Sequence, residues 1–98
     1  MTELTTKQRA KLRAMANALP TILYIGKEGV TDGTVKEAYD ALQARELIKG
    51  AVQPNAPLSA REACQLLCER LGAFPVQTIG KRFVLYRRND KKPVIELT

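Results

Sequence analysis

The residues best placed to do chemistry are Gly26, Lys27, Glu28 and Gly29, two glycines bracketing a cation and an anion. Glycine permits positive φ and close backbone approach, so such a loop can present N–H groups to an anion while Lys27 adds charge. A helix starting just downstream supplies further free N–H groups and the positive end of its dipole, and together these parts can cradle a phosphate. Glu28 and Asp32 nearly cancel the charge of Lys27. The loop is therefore expected to position one phosphate and to supply little affinity by itself. The competing reading is a plain strand-to-helix turn that needs glycine for its shape.

Catalytic chemistry finds few residues to use. There is no histidine, the usual base at neutral pH and the commonest metal ligand. Cys64 and Cys68 lie one helical turn apart with no further Cys or His to complete a tetrahedral site, and they read as small buried hydrophobes. No Gly-Lys-Ser/Thr follows the loop, and no Gly-x-Gly-x-x-Gly is present. Glu28, Asp32, Glu37 and Asp40 read as solvated charge, with Asp32 favouring the first turn of its helix. The expectation is a non-enzyme without metal, cofactor or small-molecule substrate.

Affinity for an anionic partner must then come from other cations. Sixteen Lys and Arg stand against ten Asp and Glu, a net charge of +6. Lys7, Arg9, Lys11 and Arg13 crowd the start of the chain, and Lys81, Arg82, Arg87, Arg88, Lys91 and Lys92 crowd its end. Such charge either keeps a surface soluble or attracts nucleic acid, whose binding gains with each phosphate neutralised.

The elements that must hold these residues follow from spacing. From Thr6 to Leu19 the period is helical, with Leu12, Met15, Ala16 and Leu19 on one inward arc, basic residues on both shoulders, Thr5 or Thr6 as cap and Pro20 as stop. Thr21 to Ile25 reads as a buried strand. Thr31 caps a second helix reaching about Arg45, with Val35, Tyr39 and Leu42 inward. Glu46 to Gln53 reads as a strand in which Gly50 is a weak point or a bulge. After the turn at Pro54 to Pro57, Ser59 and Glu62 form a capping box for a third helix whose stripe is Ala60, Ala63, Cys64, Leu67 and Leu71, with Gly72 after its end. Phe74 to Ile79 and Arg82 to Arg87 form a hairpin around Gly80-Lys81.

On the last strand, alternation places Arg82, Val84, Tyr86 and Arg88 on one face and Lys81, Phe83, Leu85 and Arg87 on the other. Phe83 and Leu85 read as core, and Tyr86 as packed in preference to stacking on a base. The tail after Asn89 reads as loose until Val94-Ile95. The fold class is α/β: one compact domain of 98 residues, order α-β-α-β-α-β-β, with three helices on a four-stranded mixed sheet. No apolar run nears the roughly 20 residues of a membrane span, and Met1-Thr2-Glu3-Leu4-Thr5-Thr6 lacks a signal-peptide pattern. A cytoplasmic monomer without membrane contact is expected.

Four stretches, in this order, resemble one known family: Leu4 to Arg9 with Leu12-Arg13, Ile25 to Thr31, Glu46-Leu47-Ile48-Lys49, and Val76 to Lys81 running into Val84 to Arg87. Together they are similar to the CRM (chloroplast RNA splicing and ribosome maturation) domains, specifically their stand-alone bacterial YhbY-like members. The resemblance implies an RNA-binding domain shaped like the C-terminal domain of translation initiation factor three and associated with precursors of the large ribosomal subunit. It implies RNA contact at Gly26, Lys27, Gly29, Lys7, Arg9, Lys11 and Arg13. Glu28 in the loop and the late basic residues Lys81, Arg82, Arg87 and Arg88 complete the expected RNA-binding set. The sequence departs from the family at Gly50, where an apolar residue is usual, and at Arg88-Asn89-Asp90, which lacks the ending of plant CRM domains. The alternative is a basic adaptor that binds a protein within a ribonucleoprotein and does not touch RNA.

Overall fold

The computed structural model describes residues 4–89 and 91–97. The leader reading at Met1, Thr2 and Glu3 and the family departure at Asp90 lie outside the described residues. Each helix starts on a capping box. Thr5 caps α1 (Thr6–Ala16) with Gln8, Thr31 caps α2 (Asp32–Arg45) with Thr34, and Ser59 caps α3 (Ala60–Leu71) with Glu62. In each, the cap hydroxyl accepts the N3 amide and the N3 side chain reaches back to the cap backbone. The hydrogen bonds from Ser59 hold the Glu62 carboxyl below its ordinary pKa.

α1 stops at Ala16, short of the expected Leu19. Ala18 and Leu19 donate to Met15 and Ala16, a tightened last turn that lets the chain extend before Pro20. Met15, expected inward, is 38% exposed, and Tyr39 on α2 is 40% exposed.

The strands β1 (Thr21–Ile25), β2 (Leu47–Val52), β3 (Phe74–Ile79) and β4 (Arg82–Tyr86) form one sheet in the order β1-β2-β4-β3. β1 and β2 are parallel and joined through α2, whereas β4 runs antiparallel to both β2 and β3. α3 carries the chain past the place that β4 then fills on the return of its hairpin. β4 is thus central, and both its faces are buried. Phe83 and Leu85 join Leu23, Ile25, Ile48, Leu42 and Leu67 beneath α2 and α3. Val84 and Tyr86 join Leu12, Ala16, Leu47 and Val76 beneath α1. Tyr86 is packed, as expected. Its burial, with the Glu46 charge adding and Arg88 opposing, raises the pKa of its hydroxyl.

Two features differ from the sequence reading. Glu46 does not start β2; it is the C-cap of α2, fully buried at φ 64°. Its Oε2 accepts the Asn89 amide at 2.6 Å, and its Oε1 accepts the amides of Val94 and Ile95 at 2.6 Å each. A charged acceptor for three backbone donors compensates a backbone angle that favours glycine. The tail it holds is anchored earlier than expected. Asn89 bonds the Gln43 carbonyl and the amides of Lys91 and Lys92, Gln8 reaches the Leu97 carbonyl, and Lys11 reaches that of Glu96. Ile95 and Leu97 pack on the α1 side of the core.

Gly50 does not interrupt β2, and it does sit at a bulge: Thr21 and Leu23 face Lys49 and Gly50, so the extra residue is on β1 opposite the glycine. The register shifts lie in β1, between Thr21 and Leu23, and in β3, between Pro75 and Gln77. A Cβ on Gly50 would fall 2.4 Å from the Phe83 ring, so glycine makes room for an aromatic ring against the backbone. No helix among the described residues is long and apolar enough to cross a membrane.

Candidate nucleic-acid interface

The glycine loop is a hydrogen-bonded turn. The Gly29 amide donates to the Gly26 carbonyl at 3.0 Å, leaving Lys27 and Glu28 exposed at its tip. Gly29 has φ +71°, and a Cβ there would meet Pro57 at 3.3 Å; a Cβ on Gly26 would meet the Gln53 side chain at 3.0 Å. Gly29 therefore has a structural reason, its positive φ in the turn and its docking against the segment after β2, whereas at Gly26 only the flexible end of the Gln53 side chain would have to give. That docking also fixes the tip on a rigid base. Among the described residues Lys27 and Glu28 form no ion pair, while Asp32 pairs with Arg70 at 3.1 Å and Asp40 with Lys36 at 3.0 Å. Both of those pairs are exposed and contribute little to stability.

Backbone bonds gather the loops at this end of the sheet. The Gln53 amide donates to the Ile25 carbonyl and the Val52 amide to the Lys81 carbonyl, each at 2.8 Å. The Gly26 turn, the capped starts of α2 and α3, and the hairpin tip with Lys81 and Arg82 thus share the C-terminal edge of the parallel pair. This edge is where open α/β sheets bind ligands, and both helix dipoles favour an anion there.

The remaining expected residues divide. Arg87 and Arg88 follow the far end of β4, roughly 17 to 20 Å from Arg82 at 3.4 Å per residue. Arg87 is engaged: its Nε–H donates to the Leu71 carbonyl at 2.8 Å, and its guanidinium lies 5.5 Å from the centre of the Tyr39 ring. It ties the end of α3 to the hairpin and gives the half-exposed Tyr39 a partner.

On α1 the two basic shoulders differ as well. Lys11 is turned to the tail at Glu96, with Lys7 on the same shoulder. Arg9 lines a groove of about 430 Å³ beside β3, together with Arg61 of α3 and Pro75 to Thr78. Arg13 lies one turn along on that shoulder, and Asn17 after it borders a recess lined by Lys49 and Arg82. Arg61 and Lys49 were not singled out for binding, because only the fold brings them beside Arg9 and Arg82.

The charge is sided. α1 and the four strands contain Lys7, Arg9, Lys11, Arg13, Lys49 and Arg82 and no Asp or Glu. The acids among the described residues lie instead on α2 and α3, in the Gly26 turn, at the buried Glu46 and at Glu96 in the tail. α1 and the sheet thus form a layer whose own charges are all cationic, with Glu96 of the tail packed beside it, a surface suited to a polyanion. Cys64 and Cys68 are free and buried on the inner face of α3, and a hydrogen bond to Cys64, with burial adding to it, raises the pKa of the Cys68 thiol.

A mixed four-stranded sheet with this helix order and this turn defines the class. The chain belongs to the CRS1 / YhbY (CRM) domain family, whose pattern matches residues 4–87. It is similar to the "Probable RNA-binding protein YqeI" of Bacillus subtilis, 39% identical over 94 residues that cover 96% of this chain and 98% of that protein. It is also similar to an "RNA-binding protein" of Haemophilus influenzae, 36% identical over 98 residues covering 96% of this chain and 95% of the other. The solution structure of the hypothetical protein SAV1595 from Staphylococcus aureus matches with a TM-score of 0.81 and 36% identity, over 98% of this chain and 100% of that one.

Proposed function

We propose that this chain is a non-catalytic, cytoplasmic, monomeric RNA-binding factor that contacts ribosomal RNA in precursors of the large ribosomal subunit. The observation that carries the reading is the sided charge: an acid-free layer of α1 and sheet, bordered at one end by the Gly26 turn and the Lys81 hairpin tip. The names of the similar proteins from Bacillus subtilis and Haemophilus influenzae support RNA as the partner. The ribosomal part rests on the family resemblance.

In this reading the turn positions and the surrounding cations attract. Lys27 and the backbone at the tip of the turn hold one phosphate, the Gly29 amide being taken by the Gly26 carbonyl, and Arg9, Arg13, Lys81 and Arg82 neutralise its neighbours. Arg87 contributes by bracing the fold, and Arg88 lies at the margin.

Crosslinking in cells, followed by sequencing of the attached RNA, tests the assignment. A dominant site in large-subunit precursor rRNA is the expected result. Crosslinks spread over unrelated transcripts, or a nuclease-resistant protein partner in their place, would overturn it.

A further inference from the structure

The sheet face under α1 is only half covered. α1 lies over β2, β3 and β4 and ends at Ala16, and past Asn17 the same face stands open. The register there puts Tyr24 opposite Ala51, Ala51 opposite Arg82, and Arg82 opposite Ile79, a single row across all four strands. At about 4.8 Å between strands the row is roughly 14 Å wide. Tyr24 is 58% exposed and Ile79 64% exposed, although Leu23 and Ile25 on either side of Tyr24 are fully buried on the opposite face. The next row holds Lys49, Val84 and Gln77, and between the rows lies a recess of about 170 Å³ bordered by Asn17, Lys49, Gln77 and Arg82.

We propose that this open face binds a single-stranded segment of RNA, its unpaired bases stacking on Tyr24 and passing over Ile79, its phosphates held by Lys49 and Arg82. The proposal rests on the RNA-binding reading and adds the class of RNA. Three observations support it. The Tyr24 hydroxyl reaches only its own strand, at the Thr21 carbonyl 3.5 Å away, so the ring is held along β1 with its surface free. The strands and α1 carry no acid, so the surface complements a phosphate backbone. Across the two rows the face offers the Tyr24 ring, the cations Lys49 and Arg82 and the Gln77 amide, groups suited to a base face, a phosphate and a base edge. A protein would need to bring acidic and apolar groups in the same spacing. Bases within a duplex cannot reach a flat row, which makes unpaired RNA the occupant.

Tyr24 also links this face to the glycine turn, since it lies two residues before Gly26 on β1. A strand of RNA held at the turn can continue directly onto the row. The turn would fix the backbone and the face would select unpaired segments.

Anisotropy titrations of the full chain with a short labelled oligouridylate and with a duplex of equal length test the proposal. Tyr24→Ala should weaken oligouridylate binding roughly five- to hundred-fold, the range of one base–aromatic stack, with an unchanged salt slope and unchanged duplex binding. Tyr24→Phe should stay within about twofold of the parent, because the ring is kept. Should Tyr24→Ala lower the thermal midpoint, Ile79→Ala at the far edge serves as the second variant, with the same direction expected. If Lys27→Ala weakens oligouridylate binding while Tyr24→Ala and Ile79→Ala leave it intact, this proposal falls and the RNA-binding reading stands. If the parent binds neither RNA, both fall. A Tyr24→Ala variant that keeps full RNA affinity but loses a nuclease-resistant protein partner assigns the face to protein and overturns the proposal.

Discussion

Replacing Gly50 by alanine adds one methyl group, and the fold makes its consequence calculable. The new Cβ would lie 2.4, 2.7 and 3.0 Å from Cζ, Cε2 and Cε1 of Phe83. Carbon atoms rest at about 3.5 to 4.0 Å, so the ring must retreat by about 1 Å. Phe83 is 1% exposed, on the central strand and packed beneath α2 and α3, so it has nowhere to go without displacing neighbours. Overpacking of this kind costs about 1–3 kcal/mol, against which a strand glycine-to-alanine change would otherwise gain about 0.4–1 kcal/mol from the unfolded chain. In a domain of this size each kcal/mol moves the midpoint by about 4–8 °C, so calorimetry should show a clear fall for Gly50→Ala. Phe83→Leu in the same chain should recover part of the loss, because it removes the atoms that clash. A Gly50→Ala protein as stable as its parent would refute the close-approach account of this glycine.

Other expectations concern the joints and the basic surface. Glu46→Gln turns one of the two accepting oxygens into a donor facing an amide, and should cost about 1.5–3 kcal/mol in urea unfolding, with faster hydrogen exchange at Val94 and Ile95. Tyr86 has a raised folded pKa, so the stability it confers is complete below its ordinary value of 10.0 and is lost as the pH rises through the folded one. Tyr86→Phe should therefore flatten the alkaline decline of the urea midpoint; an identical decline would contradict the assignment. Of the two shoulders of α1, Arg13→Ala should weaken RNA binding more than Lys11→Ala, since Lys11 is turned to the tail. Equal losses in filter binding would show that the shoulders do not differ.

How far the chain could be read depends on the range of the interaction. The helix starts were legible because a cap is local in the chain, although only the Ser59–Glu62 box was read and the Gln8 and Thr34 halves of the other two were not; β1 was legible because its apolar run is bounded by Pro20 and Gly26. The turn at Gly26 to Gly29 was legible for the same reason. Glu46 was not: it follows a helix and precedes apolar residues like any strand residue, and its partners Val94 and Ile95 lie 48 and 49 positions away. Gly50 looked like a defect because the ring that needs its space belongs to β4. Arg82 and Arg87 read as RNA-binding residues on opposite faces of one strand, yet Arg87 braces α3 while Arg82 lies at the edge that holds the turn. The open row of Tyr24, Ala51, Arg82 and Ile79 exists only in the register of the sheet.

On the proposed reading the Gly26 turn positions RNA through Lys27 while the basic α1 and sheet layer attracts it. The most direct test of that reading is the salt dependence of RNA affinity for the parent protein and for Lys27→Ala. The account predicts a linear log–log decline for the parent and, for the variant, weaker binding with a slope shallower by about 0.7 to 0.9, the loss of one phosphate contact. Identical affinity and slope for the two proteins would contradict it.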